Sequence, residues 1–424
     1  MIKNNDRRTF FNLLITYLFL FLIWTLFSFV FTDPNLTLIN RQAFIACQNF
    51  LWQNILPNTY LRVGTYLTLT GALMINYLYL IKFWPKKIKF FDKKIIITLL
   101  PLFLILLISY NALSHDLFNY IFNARILIKY GTNPHRVAAL NFPNDLWLRF
   151  MHNVHTTAPY GQAWTIISLI PYFFGFNKFL LTYLSFKFFA FLGMLLSYFF
   201  LNKLLNKKEN KNFKLALLFL NPLILIETLA NAHNDWWMMW PVLASFLIAK
   251  KFIQEKNKNY FWIILIVLLM FFSVFTKFAS LVAIPFLIYY LSKNHLEKLL
   301  IFKTKFPEKI KHFIDQYFWD LISISFFLPL LTKRSQCFLT WYLIWPMAFL
   351  PLLKSKCWRN NLLIFSFSAL LSYVPWILYL PWLNFEHALA NVLLYKQVIL
   401  WSSPLIYNLF LLLNLIIKNV KNKR

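Results

Sequence analysis

A chain of 424 residues that is 60% hydrophobic, 20% aromatic and only 13% charged does not have the composition of a soluble protein. Its 43 Lys and Arg against 14 Asp and Glu give a formal net charge of +29. These cations cluster in short loops between apolar runs, as the positive-inside rule expects, which argues against a nucleic-acid partner. Several runs approach or exceed the ~20 apolar residues that cross a bilayer core, so the expected class is an all-α polytopic membrane protein; a β-barrel needs ~10-residue alternating segments instead. Three scattered cysteines, Cys47, Cys337 and Cys357, make neither a disulfide framework nor a zinc site.

The basic start "MIKNNDRR" predicts a cytoplasmic N-terminus. The first span, about 10–31, is too long for a signal-peptide core and lacks a small-residue cleavage site, so it reads as retained. Residues 32–61 carry little positive charge and read as outside. A second span near 63–81 returns the chain to "KFWPKKIKFFDKK", and a third near 95–112 delivers Ser114, His115 and Asp116 to the outer face. Residues 114–162 are the longest polar insertion. Two short interfacial helices are expected there, with Trp147 and Phe150 at headgroup depth. The next two hydrophobic segments, within 163–201, precede the basic "NKLLNKKENKNFK". Two full crossings would put that loop outside, so one segment is expected to be broken or re-entrant, as tolerated where backbone lines a cavity. Alternation is regular from there to the basic tail "KNVKNKR". The count is 12 or 13 spans with both termini cytoplasmic. They form a single integral membrane domain in which 1–113 holds three spans, 114–162 the outer loop and 163–424 the remaining spans. This parity gathers Asp116, "NAHND" at 231–235, Lys277 and "TKRSQ" at 332–336 on one side.

In "SHDLFNYIFNARILIKYGTNPH" (114–135), Asp116, Asn119, Tyr120 and Asn123 recur at helical spacing and share a face, with Arg125 turned toward the opposite one. Two readings of Asp116 stand. It, or Ser114, caps a helix, or it is a general base accepting a proton from a sugar hydroxyl. In "NPLILIETLANAHNDWWMMW" a polar turn carries Asn231, His233, Asn234 and Asp235. Capping by Asn234 or Asp235 competes with a binding role, and metal binding by His233 and Asp235 has little support. Glu227, inside the preceding span, is an acid that insertion scales penalise by roughly 2.5–3.5 kcal/mol at mid-bilayer, so it should face a cavity or a partner. Lys277 either snorkels or meets a lipid phosphate, and Arg334 is a similar candidate. The aromatics of "TWYLIWPMAFLP", Trp341, Tyr342 and Trp345, read as an interfacial belt or as a platform for a sugar or an isoprenoid.

Taken in order, these segments resemble the bacterial polytopic glycosyltransferases of the GT-C fold, including the polyprenol-phosphate-mannose-dependent mannosyltransferases and their uncharacterised relatives. "SHDLFNYIFNARILIKYGTNPH" is similar to their S-x-D-x-x-x-Y…A/G-R…G-x-N-P-Y segment, "APYGQAWTIIS" to "YGPLWTLLS", and "NPLILIETLANAHNDWWMM" to "NPLVLIEFVGNGHNDALM". "TKFASLVAIPFL" and "TWYLIWPMAF" are similar to the later "KYxxLLLLP" and "PWYLLWPL". The likeness spans about residues 95–355. Gln162–Ala163, His135 and Thr340 depart from it at positions that bear on the acceptor.

The resemblance implies an inverting glycosyltransferase. It would move a sugar, mannose by analogy, from a polyprenyl-phosphate donor to a hydroxyl of a lipid-linked or cell-envelope glycan on the outer face of the cell membrane. Residues 114–162 would be its catalytic loop and Asp116 its base. Arg125, His233, Lys277 and Arg334 are the candidates to meet the leaving phosphate, and Tyr120, Tyr160, Asn234, Asp235, Trp341 and Tyr342 the further substrate contacts. No cofactor and no metal are expected, since the lipid phosphate sugar is itself the activated substrate; no G-x-G-x-x-G or Walker loop occurs. The rivals are a transporter or flippase of lipid-linked glycans, and a structural membrane subunit. With only six glycines against 49 phenylalanines, the chain fits small-residue helix packing and broken midplane transport sites poorly.

Overall fold

Hydropathy marks where this chain is apolar, but proline and buried polar residues decide where each run bends. The computed structural model describes residues 4–32, 39–85, 93–205, 210–255, 259–292, 308–332, 338–380 and 385–421, and among the described residues there is no strand. Four helices are long and apolar enough to cross a bilayer: Arg7–Phe31, Phe179–Leu204, Lys356–Tyr379 and Val392–Lys418. A fifth candidate is the pair Lys211–Phe219 and Pro222–Ala230, bent by 57°. Ile95–Ile108, Phe261–Thr276, Phe278–Ser292 and Phe318–Leu331 are shorter apolar helices. The protein is thus an all-helical polytopic membrane protein. The count of 12 or 13 crossings allows for one broken segment within 163–201, and several further runs are also short helices joined at breaks.

The breaks have local causes. At Asn221–Pro222 the proline has no N–H to donate and disfavours helical geometry in the residue before it. Asn221 turns extended and its side chain accepts from Leu223 N at 3.0 Å, starting the next helix. That helix ends in a π-helical turn, Ile226–Ala230, closed by Asn231 N donating to Ile226 O at 2.9 Å. Ala232 then takes a left-handed φ of 58°. The segment before Phe179–Leu204 is also broken, into Gln162–Ile167 and Leu169–Phe173.

The Asp235–Gln254 helix packs against Phe179–Leu204 and Phe261–Thr276, and Asn4–Ser28 packs against Thr59–Lys82 and Lys93–Ile108. Between them lies an aromatic core that includes Trp24, Trp236, Tyr66, Tyr77 and Tyr120. Burying aromatics of this size anchors the bundle through many small dispersion contacts, and in lipid this packing, not water exclusion, holds helices together.

The loop after the third apolar helix packs inward. Its main element, Asp116–Tyr130, is buried over its first eleven residues apart from Asp116 itself, and 3-10 turns follow at Ala139–Asn141 and Leu148–Phe150. Trp147 and Phe150, expected at headgroup depth, face the protein instead. Phe150 stacks on Phe179 at 3.7 Å and 11°, and the Arg125 guanidinium lies over the Trp147 ring at 4.0 Å. Asp145 pins this loop. Its carboxylate accepts from Arg125 at 2.7 Å, Lys129 at 3.0 Å, Tyr130 at 2.5 Å and Trp147 N at 2.8 Å. Burial works against the Asp145 charge. Arg125, Tyr130, the Trp147 N–H and Lys129 outweigh it and hold the carboxyl well below the usual range.

Candidate active site

Asp116 is the first residue of its helix, but its carboxylate does not cap it. The Ser114 hydroxyl accepts from Asp116 N at 3.4 Å, leaving the Asp116 side chain to turn toward Tyr160 and His233. The Asp116 Oδ2 to His233 Nδ1 distance is 3.6 Å, and the Asp116 side chain retains 18% exposure while His233 has none. Burial pushes the Asp116 carboxyl up to about 6, against the pull of Lys277 and of a hydrogen bond from Tyr160. A carboxyl poised near neutrality and open on one side is suited to receive a proton.

The segment delivering Asp116 is held from the neighbouring helix. Lys187, fully buried on Phe179–Leu204, donates to the Ser109 carbonyl. Tyr183 on the same helix donates to Ser109 O at 3.2 Å and to Asn111 Oδ1 at 3.1 Å, and Asn111 Nδ2 donates to Ser114 O at 2.7 Å. These bonds occupy carbonyls left without intrahelical partners beyond Ile108.

The turn at 231–234 forms the opposite wall. The positive φ of Ala232 reverses the chain so that the fully buried His233 faces Asp116, with the fully buried Asn234 and Asp235 following it. Asn234 precedes the Asp235–Gln254 helix but makes no side-chain cap bond, and both its amide nitrogen and oxygen lack a hydrogen-bond partner. Asp235 Oδ1 accepts from Lys277 Nζ at 2.7 Å and from Trp345 Nε1 at 2.5 Å, while Oδ2 has no partner. Each such orphan costs roughly 1–3 kcal/mol, and together they leave a buried polar surface with hydrogen-bonding capacity to spare.

Lys277 sits where the Phe261–Thr276 helix stops, in extended backbone with φ −149°. It does not snorkel: its side chain is 12% exposed and ion-paired to Asp235. Tyr160 and Trp345 each present a ring 6.0 Å from its ammonium. The Tyr160 segment meets this break backbone to backbone, with Gly161 N donating to Thr276 O at 3.1 Å. A Cβ at Gly161 would lie 1.8 Å from Phe275 O, so only glycine fits that approach. Tyr160 in turn packs edge-on against Tyr120 at 4.8 Å. Trp341 stacks on the His233 ring at 4.0 Å and 20°, and Tyr342 stacks on Trp345 at 4.3 Å and 24°. These aromatics belong to the wall of the site, not to a lipid-facing belt.

The structure therefore brings together Asp116, Tyr120, Tyr160, His233, Asn234, Asp235, Lys277 and Trp341, with Tyr342 behind Trp345. Arg125 is set apart in the Asp145 cluster, where it also donates to Tyr172 and Asn177 at 3.3 and 3.1 Å. A guanidinium so engaged anchors the loop and is not available to a substrate phosphate. Arg334 lies outside the described residues. Trp345, one of the three aromatics read as a belt or a platform, joins the site through Asp235, and Tyr373 completes it without any sequence signal. Glu227, whose only sequence signal is an acid inside a span, accepts from Tyr373 at 2.8 Å and Asn231 at 2.9 Å and lies 3.4 Å from His233 Nε2. Among the described residues no group of three or more His, Cys, Asp or Glu side chains is gathered to hold a metal ion.

Neither the curated proteins nor the solved structures give a match to the chain. A family model does: alpha-(1->6)-mannopyranosyltransferase, N-terminal domain, over residues 40–293, a stretch that contains Asp116, the 231–235 turn and Lys277. On a match over more than half its length, the chain belongs to this mannosyl-transferring glycosyltransferase family.

Proposed function

We propose that this protein transfers a mannosyl group from a polyprenyl-phosphate-mannose donor to a hydroxyl of a glycan or glycolipid acceptor at the outer face of the cell membrane, with inversion at the anomeric carbon. The family description supports an α-(1→6) bond to a mannose-containing acceptor. In this reading residues 114–162 are the catalytic loop of a single integral membrane unit, and the lipid-linked sugar supplies the activation, so no resident cofactor is called for. Asp116 is the base. It takes the proton as the acceptor oxygen forms its bond to C1, and the C1–O bond to phosphate breaks with its electron pair leaving on the lipid phosphate. Lys277 faces that developing charge. The unpartnered amide of Asn234 and Oδ2 of Asp235 meet sugar hydroxyls, and Trp341, with Tyr120, Tyr160 and Tyr342 around it, lines the sugar's path.

The observation that carries the reading is the disposition of Asp116. Its partly exposed carboxylate faces a wall of buried polar atoms without partners, and it is not spent on capping its own helix. The test is transfer itself. Membranes containing the protein are incubated with radiolabelled polyprenyl-phosphate-mannose and a synthetic octyl mannoside. Label should appear in the octyl product in a bond cleaved by an α-(1→6)-specific mannosidase. Label that enters product from a nucleotide-mannose while the lipid-linked donor stays unused would exclude the proposed donor.

A further inference from the structure

A base that has taken its substrate's proton is drawn back to the carboxylate if that proton can be passed on while product still covers it, and the Asp116 surroundings offer one acceptor line. Behind it, the fully buried His233 ring bridges two carboxylates, with Nδ1 3.6 Å from Asp116 Oδ2 and Nε2 3.4 Å from Glu227 Oε2. Neither ring nitrogen has a conventional hydrogen bond in this state. Catalytic hydrogen bonds are often this long before substrate closes the site. The ring plane is fixed by stacking on Trp341 at 4.0 Å. Burial, with Lys277 and Lys396 acting in the same direction, keeps the imidazole neutral, so it carries one proton and one lone pair. Glu227 is fixed as firmly, since Tyr373 donates to Oε1 and Asn231 to Oε2.

We infer that Glu227 is a positioning residue that works through His233, setting its tautomer and holding the proton that Asp116 collects until product leaves. This rests on the reading of Asp116 as the base. With Glu227 ionised, the imidazole proton sits on Nε2 and the Nδ1 lone pair faces Asp116. When Asp116 takes the acceptor's proton, it becomes a donor to Nδ1. Transfer of that proton to Nδ1 and of the Nε2 proton to Glu227 restores the Asp116 carboxylate and leaves the imidazole neutral. The proton is then held on Glu227 while product is bound; the same two transfers in reverse return it to Asp116, whose partly exposed side chain releases it once product has left, and the imidazole proton is back on Nε2 with no co-reactant required. The other groups around this line differ in role. Lys277 is tied to Asp235, Tyr160 and Tyr120 face Asp116, and Tyr66, Tyr373 and Lys396 face Glu227. Among these, His233 alone approaches both Asp116 and Glu227 within 4 Å.

The test compares pH–rate profiles for mannosyl transfer from polyprenyl-phosphate-mannose to octyl mannoside in wild-type protein, Glu227→Gln, Glu227→Asp and Asp116→Asn. In Glu227→Gln, Tyr373 keeps the amide oxygen and the Asn231 amide turns its own oxygen toward the new NH2, whose second hydrogen faces Nε2. That forces the imidazole proton onto Nδ1, where it donates to Asp116. Lost negative charge and a gained donor both favour the Asp116 carboxylate. The acidic limb should therefore move to lower pH by about one unit while kcat falls about tenfold or more and the donor KM changes little. Glu227→Asp should restore the limb toward its wild-type position. A merely structural role lowers activity without moving the limb, and an unmoved limb, or a kcat within about twofold of wild type, overturns the inference. If Glu227→Gln does not accumulate, His233→Gln decides on the same two readouts, since an amide cannot pass a proton on. An active Asp116→Asn protein would instead remove the base assignment on which all of this depends, and the two failures are thereby told apart.

Discussion

Lys277 Nζ lies 2.7 Å from Asp235 Oδ1 across 42 residues of chain, and the pair joins the break after one apolar helix to the first residue of another. Asp235 is fully buried and Lys277 nearly so. Removing the cation leaves a buried carboxylate with Trp345 as its one remaining donor, a change that costs about 3–5 kcal/mol when a buried pair is broken from one side. Lys277→Met should therefore lower the unfolding temperature in detergent and raise the apparent KM for the lipid-linked donor. Adding Asp235→Asn should recover much of the stability and none of the donor affinity. Thermal unfolding and a donor titration on the single and double variants check both halves.

Gly161 tests how the Tyr160 segment is seated. A methyl at this position meets Phe275 O at 1.8 Å and the adjoining carbonyl carbon at 2.5 Å, both backbone atoms that cannot rotate away. Gly161→Ala should displace Tyr160 from Asp116 and Lys277, cutting transfer at least tenfold while helix content by circular dichroism stays unchanged. Gly64→Ala, which meets nothing within 4 Å, should be neutral. Equal activity in the two variants would show that the approach of 161 to 275–276 is not needed for the site.

The rate should also titrate. As the proposed base Asp116 works only as the carboxylate, and burial raises its pKa to about 6. Its ionised fraction grows as pH rises through that value. Transfer should climb tenfold per unit well below pH ~6 and level off above it. A rate flat from pH 5 to 8 would contradict the raised carboxyl.

Orientation is open to a direct check. Thr156 and Lys203 are both exposed. In a background without the native cysteines, Thr156→Cys should react with an impermeant thiol reagent added to intact cells, and Lys203→Cys should react only after the membrane is opened. The opposite pattern would reverse the proposed sidedness of the site.

The helical membrane class was plain in the sequence because long apolar runs and basic loops have no other economical reading. The face carrying Asp116, Asn119, Tyr120 and Asn123 was legible from helical spacing alone. Parity correctly grouped Asp116 with the 231–235 turn and Lys277, although it could not bring them within hydrogen-bonding range. What stayed hidden were partnerships across the fold. Arg125 looked available because Asp145, twenty residues on, gives no periodic signal linking it to a helix face. Trp147 and Phe150 looked interfacial because aromatic residues suit headgroups and buried loops equally well. Glu227 announced itself only as an expensive acid. Its neighbours His233 and Tyr373 become visible when the π-helical turn and the left-handed Ala232 fold the chain back.

The central claim is that Asp116 is the base, and one substitution addresses it. Asp116→Asn keeps the size of the side chain and leaves the backbone N–H at 116 donating to the Ser114 hydroxyl, yet an amide cannot accept the acceptor's proton. The measurement is kcat for mannosyl transfer from polyprenyl-phosphate-mannose, made on protein shown by its unfolding temperature and elution profile to be folded. The account predicts a fall of roughly 10²–10⁴-fold with donor binding preserved. A folded Asp116→Asn protein that transfers mannose at near the wild-type rate would contradict it.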